Sequence, residues 1–112
     1  MLHTNLHHVL SKDSHKNVLE ENENVMICCG RMGPMCTPVY AAMTELKEEY
    51  PNVKFADMEF DTPDAEVIRN APECRGFMGL PFVMYYKNGK VVKASSSIQS
   101  RGKIEDTLKE VF

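Results

Sequence analysis

The chain has 112 residues, of which 43% are hydrophobic and 26% are charged, and it carries a formal net charge of −3. This length suits one domain with a hydrophobic core, which we expect to span residues 1–112, and is too short for two such domains. The net negative charge and the lack of any run of basic residues argue against a nucleic-acid partner and against a membrane surface.

The cysteine content and the N-terminal segment together predict the cellular compartment. Residues 1–24 have no apolar stretch long enough for a signal peptide or a membrane helix, because histidines and lysines interrupt it. We therefore expect a cytoplasmic protein. In such a chain, four cysteines indicate reduced thiols with a redox or metal role more often than a disulfide framework.

Two elements are predicted before the cysteine-rich part of the chain. Apolar positions within residues 2–10 indicate a short first strand. Asp13 or Ser14 can then cap a helix that residues 15–21 complete. The four histidines of the chain are interpreted as solvated surface residues.

The central stretch combines a buried strand with a helix start. Residues 25–29 read Val-Met-Ile-Cys-Cys, a continuous apolar run typical of a strand buried on both faces, and Gly30 ends it. Gly33 can serve as the N-cap of a helix that has Pro34 at its first position, which would place Cys36 in the first turn. Because the positive end of a helix dipole favours a thiolate, Cys36 is the first candidate for a reactive residue.

The second half of the chain predicts the remaining strands and helices. Residues 53–60 alternate with period two, which indicates a strand with one polar side, and residues 64–69 can form a helix. The Asn88-Gly89 pair between apolar residues 82–86 and 91–92 is typical of a hairpin turn, and an amphipathic helix ends the chain. This order predicts an α/β fold with parallel and antiparallel pairs in one sheet.

Two segments carry a resemblance to a known family. The first is the strand that runs into a Gly-Pro turn and a helix, and the second, more specific, is FMGLPFVMYYKNGKVV at residues 77–92. In both, and over nearly the whole chain, the sequence resembles thioredoxin. The resemblance implies a thioredoxin fold, with a mixed sheet of about five strands flanked by about four helices. It also implies a cis-proline at Pro81. The substrate groove is expected to be formed by Gly79, Leu80 and Pro81, with Met78 near its rim, and by the turn residues Met32, Gly33, Pro34 and Met35.

The predicted active-site turn departs from the family. Thioredoxins exchange disulfides through Cys-Gly-Pro-Cys, whereas the turn here reads Met-Gly-Pro-Met-Cys. An alignment without gaps along the strand and the helix matches Cys36 to the family's second, buried cysteine and Gly33 to its attacking cysteine. Matching the Gly-Pro instead replaces the two cysteines by Met32 and Met35. In either alignment the exposed nucleophile is absent, and the gap-free count puts Ile27 where the family has a buried acid.

Disulfide exchange also requires a second thiol that resolves the mixed disulfide. Cys29 ends the strand and faces Cys36 across the loop of residues 30–35, so this pair is the predicted redox site, with either thiol as the attacker. The alternative is that Cys28 and Cys29 are only small buried hydrophobic residues. Cys28, on the other face of the strand, is interpreted as structural, and Cys74 as a partly exposed thiol.

These features predict an atypical thiol–disulfide oxidoreductase with Cys29 and Cys36 as its catalytic residues. Its predicted partners are a protein disulfide or peptide substrate and a thiol reductase. Neither nucleic acid nor membrane is expected as a partner, no cofactor is expected, and the protein is expected to be a monomer.

Two alternative functions remain open. Met32, Met35 and Met78 near the two catalytic thiols would give a thiolate and thioether ligand set, which favours Cu(I) or another thiophilic metal. The same methionines, together with Phe77 and Leu80, would otherwise form an apolar rim that holds a partner peptide without any chemistry.

Overall fold

The computed structural model describes residues 2–112 and confirms the predicted α/β architecture. Its longest helix has 13 residues, and none in this part of the chain is long and apolar enough to cross a membrane. Short 3-10 turns at Pro63–Ala65 and Pro72–Cys74 flank the third helix. The main elements are β1 (His7–His8), α1 (Lys12–Glu21), β2 (Asn24–Gly30), α2 (Thr37–Glu49), β3 (Lys54–Glu59), α3 (Glu66–Arg69), β4 (Phe82–Lys87), β5 (Lys90–Ser96) and α4 (Arg101–Val111).

The strands form one mixed sheet in the order β1-β3-β2-β4-β5. β1, β3 and β2 are parallel, whereas β4 runs antiparallel to β2 and pairs with β5 in a hairpin. β2 is the central strand, and its seven residues are all buried, which agrees with its uninterrupted apolar sequence. Cys28 of this strand is in register with Asp57 of β3 and Val83 of β4.

Alternation along the strands divides the core into two clusters, one on each face of the sheet. On the first face, Met26 and Cys28 pack with residues of α2 and α4. On the second face, Val25, Ile27 and Cys29 pack with residues of α1 and α3. The molecule therefore has three layers, with helices on both sides of the sheet.

Two details of the N-terminal half differ from prediction. α1 begins at Lys12, because the Ser11 hydroxyl accepts the Ser14 N–H at 3.0 Å and so acts as the N-cap. β3 has no solvent-exposed side, since it lies between β1 and β2 with its four central residues buried and its two end residues half-buried. Asp57 is consequently buried, with only 1% of its surface exposed.

The prediction that all four histidines are surface residues is wrong for His15. This residue lies on the inner face of α1, one turn before Val18, and is 9% exposed. Its Nε2 atom lies 3.1 Å from the Tyr86 hydroxyl oxygen, and the two rings meet edge to face with centroids 5.5 Å apart. The imidazole is therefore part of the packing between α1 and β4.

Burial of His15 predicts that the protein loses stability in mild acid. Burial lowers the pKa of His15 below its ordinary value of 6.5, because the charged ring loses its water. The unfolded chain takes up this proton near pH 6.5 and the folded chain only at lower pH. The stabilisation is thus complete above pH 6.5 and is lost as the pH falls below it.

We expect the wild type to lose free energy of unfolding relative to His15→Gln when the pH falls from about 7.5 to about 5.5. The glutamine keeps a hydrogen-bonding group near Tyr86 but cannot titrate. Urea denaturation of both proteins at the two pH values measures the difference. If the difference in free energy of unfolding between the wild type and His15→Gln is the same at both pH values, His15 is not held neutral by the fold.

Candidate active site

The Gly-Pro turn and the start of α2 position the first candidate thiol. The helix begins at Thr37 with Cys36 as its N-cap, later than the predicted start at Gly33. The Gly33 carbonyl accepts the N–H groups of Cys36 and Thr37 at 3.1 Å and 2.9 Å, which closes a single turn. The regular helix starts only after this turn, because Pro38 has no N–H to donate to the Pro34 carbonyl.

The Cys36 side chain lies in a tight junction built around Gly30. The residue is 2% exposed, and the Arg31 N–H lies 3.5 Å from its Sγ. A Cβ atom placed on Gly30 would lie 2.8 Å from Cys36 Sγ, 2.8 Å from the Tyr40 hydroxyl oxygen and 3.2 Å from Pro81 Cβ. Only glycine leaves room for these three side chains to approach the end of β2.

The four cysteines form two pairs on opposite faces of the sheet. All four are free thiols and all are buried. Cys28 and Cys36 belong to the cluster on the side of α2 and α4, whereas Cys29 and Cys74 belong to the cluster on the side of α1 and α3. The structure thus places Cys28, and not Cys29, in the same cluster as Cys36. A disulfide between Cys29 and Cys36 stays a prediction.

Burial makes three of these thiols hard to ionise. It raises the pKa of Cys28 well above its ordinary value, that of Cys29 to about 12 and that of Cys74 to about 11. Cys74 is 4% exposed, so the prediction of a partly exposed thiol at this position is wrong. The 3-10 turn that ends at Cys74 directs its side chain into the core rather than outward.

A buried carboxyl group beside Cys28 was not predicted. Asp57 is in register with Cys28 on the neighbouring strand and shares the face of Phe55, which packs in the Cys28 cluster. Its Oδ2 accepts the Thr4 hydroxyl, and His8 Nδ1 lies 2.7 Å from its Oδ1. The sequence signal was an acidic residue between the apolar residues Ala56 and Met58, which needs polar partners if it is buried.

Tyr40 adds a second polar group to the same cluster. Its hydroxyl is buried and makes no hydrogen bond to a nitrogen or oxygen atom of the described residues. Burial, followed by the neighbouring Cys28 and Cys36 thiols, raises its pKa far above the ordinary value. The ring also borders a surface groove of about 410 Å³ that Met32 and Thr44 help to line.

Comparison with known proteins identifies the fold. No family model matches the sequence, and no curated protein matches it either. The chain is similar to thioredoxin from Fasciola hepatica, with a TM-score of 0.79, 17% identity and coverage of 94% of this chain and 98% of that one. This chain has the thioredoxin fold.

Two further thioredoxins agree with this assignment. The thioredoxin of Trypanosoma brucei brucei matches with a TM-score of 0.77 and 20% identity, over 98% of this chain and 93% of that one. Oxidized mitochondrial thioredoxin 3 of Saccharomyces cerevisiae matches with a TM-score of 0.77 and 19% identity, over 95% of each chain. At these identities the likeness establishes the thioredoxin fold and does not extend to the active-site residues.

Within this thioredoxin fold, the loop before β4 holds the residues predicted to line a substrate groove. The Leu80–Pro81 peptide bond is cis. The Ser97 N–H donates to the carbonyls of Gly79 and Pro81 at 3.2 Å and 3.1 Å, which ties the loop to the end of β5. Leu80 is half-buried and packs against both core clusters. The role of this loop in binding a substrate stays a prediction.

The rim methionines are exposed in the thioredoxin fold. Met32 and Met35 are each 45% exposed and Met78 is 97% exposed, and Met32 Sδ accepts the His3 N–H at 3.4 Å. Since Cys29 is fully buried on the second face, the structure does not bring it together with these methionines. Within residues 2–112, no group of three or more His, Cys, Asp or Glu side chains is placed to hold a metal ion.

The junction at Gly30 predicts a steric effect of adding one methyl group. Gly30→Ala should lower the free energy of unfolding by about 1–3 kcal/mol, because the new Cβ would overlap Cys36 and Tyr40. Gly33→Ala is the matched control in the adjacent turn, since a Cβ there meets nothing within 4 Å. It should change the stability by less than about 0.5 kcal/mol. Urea denaturation measures both, and equal stability of the two variants would contradict the close packing at Gly30.

Proposed function

We propose that this protein is a thioredoxin-like thiol–disulfide oxidoreductase whose reactive thiol is Cys36. The observation that carries the proposal is the position of this thiol. Cys36 is the N-cap of α2 in a thioredoxin fold, and its Sγ lies against Gly30 at the junction with Pro81. The Arg31 N–H is a hydrogen-bond donor to the same sulfur.

The proposed reaction consists of two thiol–disulfide exchanges. The Cys36 thiolate attacks one sulfur of a substrate disulfide, forms a mixed disulfide and releases the other substrate sulfur. A second thiol of this chain then attacks Cys36 Sγ, forms an intramolecular disulfide and releases the remaining substrate sulfur. The substrate gains the two electrons and two protons that the chain loses. A thiol reductase then supplies two further electrons and two protons, which restore the two thiols of this chain.

A protein disulfide can reach Cys36 only after a local movement, and we propose that the turn before this residue opens. With 2% of the residue exposed, Sγ is not accessible to a large substrate. Two N–H groups bonded to the Gly33 carbonyl close the turn, and Pro38 cannot add another bond of this kind. We propose that substrate binding moves residues 33–35 and exposes the sulfur.

Cys28 is the resolving thiol that the geometry favours. It lies in the same cluster as Cys36, whereas Cys29, the partner predicted from loop length, lies in the other cluster. We assign the uptake of the Cys28 proton to the Asp57 carboxyl group, because Asp57 is in register with Cys28 on the neighbouring strand. Asp57 would then act as the buried acid that the gap-free alignment with thioredoxin places at Ile27, which cannot accept a proton.

The exposed rim defines the proposed substrate surface. Met32, Met35 and Met78 present flexible thioether side chains that adapt to different apolar peptides. We include in the proposal a peptide or protein disulfide as substrate, the groove at Gly79, Leu80 and Pro81, a monomeric state and a location in the reducing cytoplasm.

The same exposed methionines favour a second candidate function, a peptide-binding adaptor that performs no thiol exchange.

Thiol mapping tests the proposed redox pair. We expect oxidation of the wild type to protect Cys36 from alkylation together with one partner, and a dithiol reductant to restore both. Cys36→Ala should lower the rate of protein disulfide reduction to that of the uncatalysed reaction. Mass spectrometry of alkylated peptides and a turbidity assay of insulin reduction provide the measurements.

Two matched variants identify the resolving partner. Cys28→Ala should abolish the intramolecular bridge and accumulate the mixed disulfide, whereas Cys29→Ala should leave both steps intact. If instead Cys29→Ala abolishes the bridge and Cys28→Ala leaves both steps intact, the redox pair is Cys29 and Cys36, as predicted from the sequence. If Cys36 alkylates freely in oxidised wild type and Cys36→Ala binds a reduced peptide as the wild type does, the adaptor function replaces the redox function.

A further inference from the structure

A second sulfur cluster lies on the opposite face of the sheet from Cys36. Cys74 Sγ lies 3.5 Å from Met84 Sδ. Ile27 of β2 is the register partner of Met84 on β4. Cys29 follows Ile27 by two residues, so it lies on the same face of β2 and is a diagonal neighbour of Met84. The exposed fractions are 0% for Cys29, 4% for Cys74 and 0% for Met84. Three sulfur-bearing residues from three segments of the chain therefore belong to one buried cluster, and the Cys74 thiol acts electrostatically on that of Cys29.

Aromatic rings close this cluster at its outer end. Phe82 is the register partner of Cys29, and the rings of Phe60 and Phe77 meet it edge to face, with centroids 5.3 Å and 5.4 Å away. These rings exclude water and offer no oxygen ligand. Such surroundings disfavour hard cations, which require oxygen donors, and suit a soft ion bound by sulfur.

One fixed positive charge borders the same site. The Arg69 guanidinium donates from Nη1 to the carbonyls of Phe60 and Thr62 at 2.6 Å and 2.7 Å, and lies over the Phe60 ring. Burial is the main influence on the Cys29 thiol, and Arg69 is the largest influence that favours its charged form. The acidic groups that also act on the two thiols are Asp61, which is paired with Arg31, and Glu73. A monovalent metal held by two thiolates has one net negative charge, which Arg69 can balance.

We propose that Cys29, Cys74 and Met84 form a binding site for a monovalent soft metal ion of the Cu(I) class. Two thiolates and a thioether are the ligands that select Cu(I). Structural zinc sites have four ligands, and three sulfurs alone do not provide them. On binding, each cysteine releases its proton to solvent as its bond to the metal forms, and no electron is transferred.

This site is separate from the proposed redox pair. It uses the cysteines of the second face, and the proposed exchange reaction uses Cys36 and Cys28 on the first face. It also differs from the ligand set predicted from the sequence, because Met84 is buried in the core and the rim methionines are exposed. The two cysteine pairs provide matched variants for the experiment.

Anaerobic titration with Cu(I), in competition with a chromogenic Cu(I) chelator, tests the proposal. We expect the Cys28→Ala/Cys36→Ala double variant to retain one tightly bound ion per chain and the Cys29→Ala/Cys74→Ala double variant to lose it. Met84→Leu keeps the volume and apolar character of the core and removes the thioether. It should weaken binding by about 10- to 100-fold or more, because loss of a group that only supports a ligand has an effect of this size and Met84 is itself a ligand in the proposed site.

The controls separate metal binding from folding and from thiol exchange. Circular dichroism and thermal unfolding identify any variant that fails to fold. If the Cys29→Ala/Cys74→Ala variant fails to fold, Met84→Leu provides the test. Cys74→Ala and Met84→Leu should keep wild-type insulin reduction, so the exchange function can fail independently of the metal site. Wild-type affinity in Met84→Leu and in the Cys29→Ala/Cys74→Ala variant would overturn the proposal, as would loss of the ion only when Cys28 and Cys36 are replaced.

Discussion

Burial of β2 on both faces is the constraint on which the rest of the structure depends. The strand is held between β3 and β4 with every residue of Asn24–Gly30 buried, so a change of register would transfer each side chain to the other face. A slip by one residue would exchange Cys28 for Cys29. It would also replace Gly30, which has no side chain, at the place where Cys36, Tyr40 and Pro81 approach the end of the strand. Register therefore fixes both which cysteine of β2 shares a cluster with Cys36 and the docking of α2.

The elements that could be predicted from sequence are those whose signals are local. The apolar run of β2 and the Asn-Gly turn are examples, and Asn88 and Gly89 have the positive φ values of 53° and 79° that this turn needs. Ser100 is a further local signal, because serine is a favoured N-cap and its hydroxyl accepts the Lys103 N–H at 3.2 Å at the start of α4. The identity of the fold followed from the order of such elements together with the segment around Pro81.

The candidate site was predicted less well, because its contacts join residues far apart in the chain. Alternation correctly separated Cys28 from Cys29, but which of them shares a face with Cys36 depends on which helix packs on which face of the sheet. Asp57 reads as the polar position of a strand, and its burial depends on Thr4 and His8, which are about 50 residues away. The sequence predicts Cys74 as a thiol at a surface turn, and only its contact with Met84 in the folded chain shows that it is buried.

The two proposals assign sulfur chemistry that requires access to one face of the sheet and sulfur chemistry that requires exclusion of water to the other. Disulfide exchange needs a sulfur that a large substrate can reach, and Cys36 directly follows a short turn with few hydrogen bonds. Cys29 and Cys74 lie on the other face, where burial holds the pKa of Cys29 near 12 and that of Cys74 near 11. A soft metal ion can replace those protons without exposing either sulfur. Because one strand supplies adjacent cysteines to opposite faces, the two chemistries can coexist within a domain of 112 residues.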